Sequence, residues 1–242
     1  MIAENILHVQ QNIAAACTRA NRNPADVTLI AVSKTHPAQA VLEAVTAGVQ
    51  HFGENRVEEA ENKIPAVNAQ TSLPLIWHMI GHIQSRKARD ILPLFNLVHS
   101  VDTLKLAAKL SGLGHEADKK LDVLLEVNVS GEESKYGFQA TGWSDRAAVR
   151  STLWEEVGQM ITLPGIRILG LMTMAPIVED AEQARPVFVE LARLRAAFAE
   201  SFKVDLPHLS MGMTDDYPVA VEEGATLVRV GRAIFGEREM RI

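Results

Sequence analysis

Cysteine is nearly missing from this chain: Cys17 is the one such residue in 242. No intrachain disulfide can form, which suits a reducing compartment. Ile6, Val9, Ile13 and Cys17 recur at helical spacing, so Cys17 reads as a packed thiol rather than a nucleophile. Basic charge is also in deficit. Lys and Arg number 24 against 30 Asp and Glu, for a formal charge of -6 and a pI of about 5.8. A sequence-independent nucleic-acid binder is excluded, because phosphate backbones demand a basic face. No apolar run approaches the ~20 residues that span a bilayer. The first residues, with Glu4 in a mixed segment, show no basic-then-apolar leader. Gly-x-Ser-x-Gly elbows, Walker loops and Cys/His nucleophile signatures do not occur. With no Pro- or Ser-rich linker to divide it, the chain is expected to be one domain over residues 1–242. It is expected to be soluble and cytoplasmic, with neither nucleic acid nor membrane as partner.

What is present is an alternation. Short apolar runs at 27–32, 49–52, 75–80, 97–101, 122–127, 166–172, 206–209 and 226–230 are separated by helical segments, after an extra N-terminal helix over 3–22. Runs without strict polar alternation suit parallel strands buried on both faces, and parallel neighbours need helical crossovers. Eight such units match a closed (β/α)8 TIM barrel at its usual ~250 residues, with a doubly wound open sheet as the alternative. Asp102 is placed to cap a helix over 103–110. The longest polar connection runs over 130–142, where 132–135 reads as a solvated loop with Lys135 exposed, or else as a mobile lid. Gly112 and Gly114 lack the continuation that a dinucleotide loop requires.

In such a barrel every strand end lies on one rim, where the chemistry of barrel enzymes collects. The first strand ends in Ser33 and Lys34. A lysine there either points into solvent or, when its ammonium loses its proton, becomes a nucleophile toward an aldehyde. The last two strands lead into Ser210-Met211-Gly212-Met213-Thr214 and Gly231-Arg232-Ala233. These loops can cradle a phosphate through Ser210, close backbone approach at Gly212 and Gly231, and the amides opening the final helix. Simple tight turns are the competing reading. Arg229 sits mid-strand and either addresses a ligand from the barrel interior or reaches Glu222 or Glu223. His78 and His82 straddle a strand end, and the other histidines lack ligand spacing, so no metal site is expected.

The segments AVSKTHP, HFGEN, WHMIGHIQSRK, HSVD, SKYGF, GLMTMAP, LSMGMTDD and VRVGRAIFG, in that order, resemble the YggS/PROSC family of pyridoxal phosphate (PLP) homeostasis proteins over essentially the full chain. The resemblance implies a barrel like the N-terminal half of alanine racemase. It implies a Schiff base between PLP and Lys34, with Ser210, Gly212, Met213, Gly231 and Arg232 around the phosphate. It further implies Arg229 at the pyridine nitrogen and Asn55 near the ring. Arg86, Arg56 and Arg232 depart from the family's usual asparagine, tyrosine and threonine or serine. The segment 141–155 matches poorly.

From these roles follows a weak electron sink. Arg229 donates only and cannot give the pyridine nitrogen a proton-accepting partner. Lys34 serves one face of a substrate, and one barrel supplies no second base. The expected function is therefore a monomeric PLP carrier or regulator without catalytic residues, with apo PLP-dependent enzymes as recipients. The alternatives are a PLP-dependent amino-acid racemase and a phosphate-ester barrel enzyme without PLP.

Overall fold

In a computed structural model that describes residues 1–132 and 135–237, the eight expected strands close on themselves. They are β1 (Thr28–Val32), β2 (His51–Glu54), β3 (Ile76–Met79), β4 (Leu97–Val101), β5 (Leu121–Asn128), β7 (Ile166–Met172), β8 (His208–Ser210) and β9 (Leu227–Val230). A two-residue strand, β6 (Phe138–Gln139), adds to the end of β5 outside the barrel. All pairings are parallel, in the order β4-β3-β2-β1-β9-β8-β7-β5, and β4 pairs back onto β5. That last pairing rules out the open sheet. Closure joins the two ends of the chain, since Thr28 to Ala31 lie opposite Leu227 to Val230.

Alternation along each strand divides the apolar residues into two layers. Ile30, Leu97, Leu124, Met172 and Leu227 form a cluster of their own inside the barrel. Residues of opposite parity, among them Ala31, Phe52, Trp77 and Val98, pack outward against the helices. Those helices are α2 (Ala38–Thr46), α3 (Val57–Asn68), α4 (Ala88–Ile91), α5 (Leu104–Glu116), α6 (Ala147–Ile161), α7 (Arg185–Phe202), α8 (Tyr217–Glu222) and α9 (Arg232–Phe235). The extra helix α1 (Ile2–Arg19) buries Ile6, Val9, Ile13 and Cys17. It is tied to the last units by Asn5 Nδ2 donating to Ile234 O and Asn12 Nδ2 to the Tyr217 hydroxyl. Cys17 is fully buried, and its burial pushes the thiol pKa up, as a packed thiol requires.

Three local expectations change. Thr103, not Asp102, caps α5: its Oγ1 accepts from the Leu106 amide at 3.3 Å. Asp102 sits one residue too early to reach that amide and instead meets His82 Nδ1 at 3.0 Å. Lys135 is mostly covered, with 18% of its side chain exposed, because Nζ pairs with Glu132 and donates to Met174 O at 2.9 Å. Glu133 and Ser134 of that connection lie outside the described residues. The N-terminal helix stops at Arg19, where Asn21 turns to φ +51 and the Arg22 amide donates back to Cys17 O.

Candidate functional site

The turn carrying Lys34 is built from beneath. Ser33, fully buried, donates its hydroxyl to Glu54 Oε1 at 2.6 Å. Lys63, projecting from α3, donates to Ser33 O at 2.8 Å, to Glu54 Oε1 at 2.9 Å and to Glu59 Oε1 at 2.5 Å. Glu59 in turn accepts the Thr35 amide at 2.6 Å. Thr35 takes φ +68, a conformation β-branched residues rarely hold unless their surroundings over-determine it. Lys34 is thus flanked by two residues clamped to one ionic cluster and is itself half-buried. Glu54 is fully buried, and burial raises its pKa against the lowering effect of Lys63 and Ser33.

Beside this turn stand the two glycine loops. A Cβ on Gly231 would lie 3.2 Å from Val32 O, so the backbone entering α9 rests directly on the strand that delivers Lys34. Gly212 has φ +91, and a Cβ there would meet Ala220 Cβ at 2.7 Å and Tyr217 Cα at 2.8 Å. The Arg229 amide donates to Gly212 O at 3.0 Å, joining the two loops. His36, two residues after Lys34, stacks on Phe235 at 5.0 Å.

Arg229 faces the barrel interior, as its parity with Leu227 allows, and is only 4% exposed. Its guanidinium donates to Ser210 Oγ and, at 2.9 Å, to Thr173 O. Both acceptors are neutral. Glu222 and Glu223, its alternative partners, are taken by Arg185 and Arg19. Burial lowers the Arg229 pKa to about 10, with Asp216 and Glu126 opposing. A buried guanidinium has five N–H donors, so two protein acceptors leave capacity for one more acceptor in the barrel mouth.

The remaining rim residues differ in how they stand. Ser210 is fully buried, between Arg229 and His99 Nδ1 at 2.8 Å. The Met213 amide is committed to Asp216 Oδ1 at 2.6 Å. Arg232 turns outward to Asp215 at 2.5 Å with about half its side chain exposed, so it offers the rim its backbone and not its guanidinium. Asn55 follows β2, half-buried, its backbone pressed on Gly81 so closely that a Cβ there would meet Asn55 O at 2.2 Å. Glu126 points inward from β5, and burial pushes its carboxyl up to about 7, with Asp102 adding and Arg229 opposing. Among the described residues, no group of three His, Cys, Asp or Glu could hold a metal ion.

Sequence reasoning overlooked two groups. Glu54, Glu59 and Lys63 carry a legible signal only in part: Glu59 and Lys63 are four apart on a helix, but their meeting with Ser33 depends on the barrel. His51, His78 and His99 form a row inside the barrel, with ring nitrogens 3.0 Å and 2.9 Å apart. Their inward parity can be read from the strands, while their diagonal contact needs the stagger between them.

A parallel barrel presenting a strand-end lysine beside two glycine loops and a buried arginine is of the alanine racemase type, and the family described as "Alanine racemase, N-terminal domain" matches residues 5–239. The chain belongs to this family, within the group of pyridoxal phosphate homeostasis proteins. Such a protein from Pseudomonas aeruginosa is 46% identical over 239 residues, covering 98% of this chain and 96% of the relative. One from Aquifex aeolicus is 39% identical over 236 residues, covering 98% of each. PipY of Synechococcus elongatus, solved with PLP bound, superposes with a TM-score of 0.81 at 35% identity, covering 98% of this chain and all of PipY. Alanine racemase of Clostridium difficile, at 14% identity and a TM-score of 0.69, shares the fold over 57% of its own length.

Proposed function

We propose that this chain binds PLP at the C-terminal rim and serves PLP homeostasis as a carrier or regulator rather than as an amino-acid-converting enzyme. The observation that carries this reading is Arg229: a buried cation bonded to neutral Ser210 and Thr173, beside two loops in which glycine lets the backbone pack closely at the rim. The residues fit the group. In this reading Lys34 meets the aldehyde and Ser210 with the backbones of Gly212, Gly231 and Arg232 surrounds the phosphate, while Met213 lies beside it with its amide held by Asp216. Asn55 lies near the ring. The PLP bound to PipY and the shared name of the curated relatives support it.

When bound, PLP supplies an aldehyde that an amine can capture and a ring that draws electrons, most strongly with its nitrogen protonated. Arg229 donates and never accepts, so it holds that nitrogen in its unprotonated form. The clamp of Glu54, Glu59 and Lys63 fixes the turn that orients Lys34. Storage follows more readily from this set than turnover. The chain acts, in this reading, as one barrel domain over residues 1–242, monomeric and cytoplasmic, handing PLP to apo PLP-dependent enzymes. Among the described residues no helix is long and apolar enough to cross a membrane.

The test is borohydride reduction after incubation with PLP, followed by peptide mapping. A pyridoxyl group on Lys34, lost in Lys34→Ala, is expected; labelling elsewhere with Lys34 untouched overturns the site. Loss of α-deuterium from alanine or serine faster than with free PLP would overturn the carrier role in favour of a racemase.

A further inference from the structure

The histidine row ends on a residue of the proposed phosphate cradle. His51 Nδ1 lies 3.0 Å from His78 Nε2, His78 Nδ1 lies 2.9 Å from His99 Nε2, and His99 Nδ1 lies 2.8 Å from Ser210 Oγ, which also accepts from Arg229. His51 opens β2 at the N-terminal end of the barrel and is half-buried, whereas His78 and His99 are buried. The row therefore runs from one end of the barrel interior toward the other. Burial lowers the pKa of all three, His78 to about 3, so each ring is neutral and carries one proton.

A contact between two ring nitrogens holds a single proton, so the row has only two directions. In one, the Ser210 hydroxyl donates to His99 Nδ1 and every ring is protonated on Nε2. This satisfies the proton of a fully buried serine inside the protein, which makes it the resting direction. In the other, His99 Nδ1–H donates to Ser210, every ring is protonated on Nδ1, and the serine proton is released to face a ligand. Arg229, which can only donate, holds a lone pair of Ser210 in both.

We propose that His99, backed by His78 and His51, is a positioning residue for the Ser210 hydroxyl, and that filling the phosphate cradle reverses the proton placement on all three rings. This rests on the reading of Ser210 as a phosphate contact. The protons balance. Ser210 gives its proton to His99 Nδ1, each Nε2 proton passes to the next ring's Nδ1, and His51 Nε2 releases one to water. Water in the mouth restores one to Ser210 Oγ, so the charge of the protein is unchanged while one proton is taken up at the mouth and one is released at the opposite end. Occupancy of the rim is thereby reported at the opposite end of the barrel.

The experiment records long-range proton–nitrogen spectra of the full chain labelled with 15N-histidine, alone, with PLP and with inorganic phosphate, while absorbance follows PLP uptake in the same samples. The expected result is Nε2–H on His51, His78 and His99 at rest and Nδ1–H on all three once the PLP band forms. In His78→Phe, His99 still responds and His51 does not. A PLP band with unchanged rings overturns the relay and leaves the site reading intact, as does a wild-type response confined to His99. Absence of a PLP band overturns the site reading itself. The phosphate arm then decides the relay alone: reversal of the three rings supports it, and unchanged rings end it. Should His78→Phe fail to fold, the wild-type spectra are sufficient.

Discussion

Lys63 sets its ammonium 2.8 Å from the carbonyl oxygen of Ser33, the residue immediately before Lys34. The Lys63 side chain is 6% exposed and its partner Glu54 is fully buried. A buried ion pair adds little net stability, but removing one member leaves the other charge stranded. The pair's visible role is to hold a turn.

Lys63→Met is therefore expected to destabilise the chain by about 3 kcal/mol, because Glu54 is left buried without its counter-charge. It should also slow PLP capture at Lys34, since the Ser33 carbonyl loses its tether. Glu59→Ala should cost under about 1 kcal/mol, because Glu59 is itself partly exposed and Lys63 keeps Glu54 as its counter-charge. Urea unfolding and the rate of the Lys34-dependent absorbance change measure the two effects. Equal stability of Lys63→Met and the wild type would refute the clamp.

The two glycine loops are expected to respond differently to a methyl group. Gly212→Ala combines φ +91 with contacts of 2.7 Å and 2.8 Å, and should cost about 2 kcal/mol or more of stability. Gly231 has ordinary φ -115, and its added carbon would sit 3.2 Å from Val32 O. Gly231→Ala should cost less stability than Gly212→Ala yet bind PLP at least tenfold more weakly, by pushing the end of β1 and with it the turn of Lys34. Thermal melts with fluorescence titration of PLP check both. Matching melts for the two variants would show that the loops are alike.

The interior histidines make the protein sensitive to acid. His78 is lowered to about 3 and His99 well below its ordinary value, both by burial, while an unfolded histidine titrates near 6.5. Their contribution is whole above about pH 6.5 and is lost as pH falls below it, at roughly 1.4 kcal/mol per pH unit for each ring. At pH 5 His78 should have cost about 2 kcal/mol. His78→Phe should reduce the slope of stability against pH by about one proton, measured by urea unfolding between pH 5 and 7. An unchanged slope would mean that His78 protonates within the folded barrel.

The barrel was legible because eight apolar runs recur with helical spacers, and Lys34, Gly212, Arg229 and Gly231 stand out by position: a strand end, two turns and a charge amid Leu227, Val228 and Val230. Closure and inward parity then follow from period-two alternation. Contacts that cross strands were not legible. His51, His78 and His99 meet only through the stagger of β2, β3 and β4. The burial of Lys135 depends on Met174, 39 residues away. Thr103 rather than Asp102 caps α5 through a one-residue difference in where the helix begins, which side-chain chemistry alone does not resolve because both residues are good caps.

Glu126 opposes the histidines. Burial raises its carboxyl from 4.5 to about 7, with Asp102 adding and Arg229 opposing. The folded state thus holds a proton that the unfolded chain gives up above its ordinary pKa. The stabilisation is complete below about pH 4.5 and fades as pH rises through about 7, a loss of about 3 kcal/mol in all. Between pH 5 and 6.5 the buried histidines take stability away as acid is added while Glu126 returns part of it. Glu126→Gln keeps the shape and polarity but cannot ionise. It should be more stable than the wild type at pH 8.5, lose that advantage near pH 5, and take up about one proton more than the wild type on unfolding between pH 5 and 6.5. Urea unfolding at the two pH values decides the matter, since stability curves that stay parallel would show Glu126 to be ionised in the folded protein throughout.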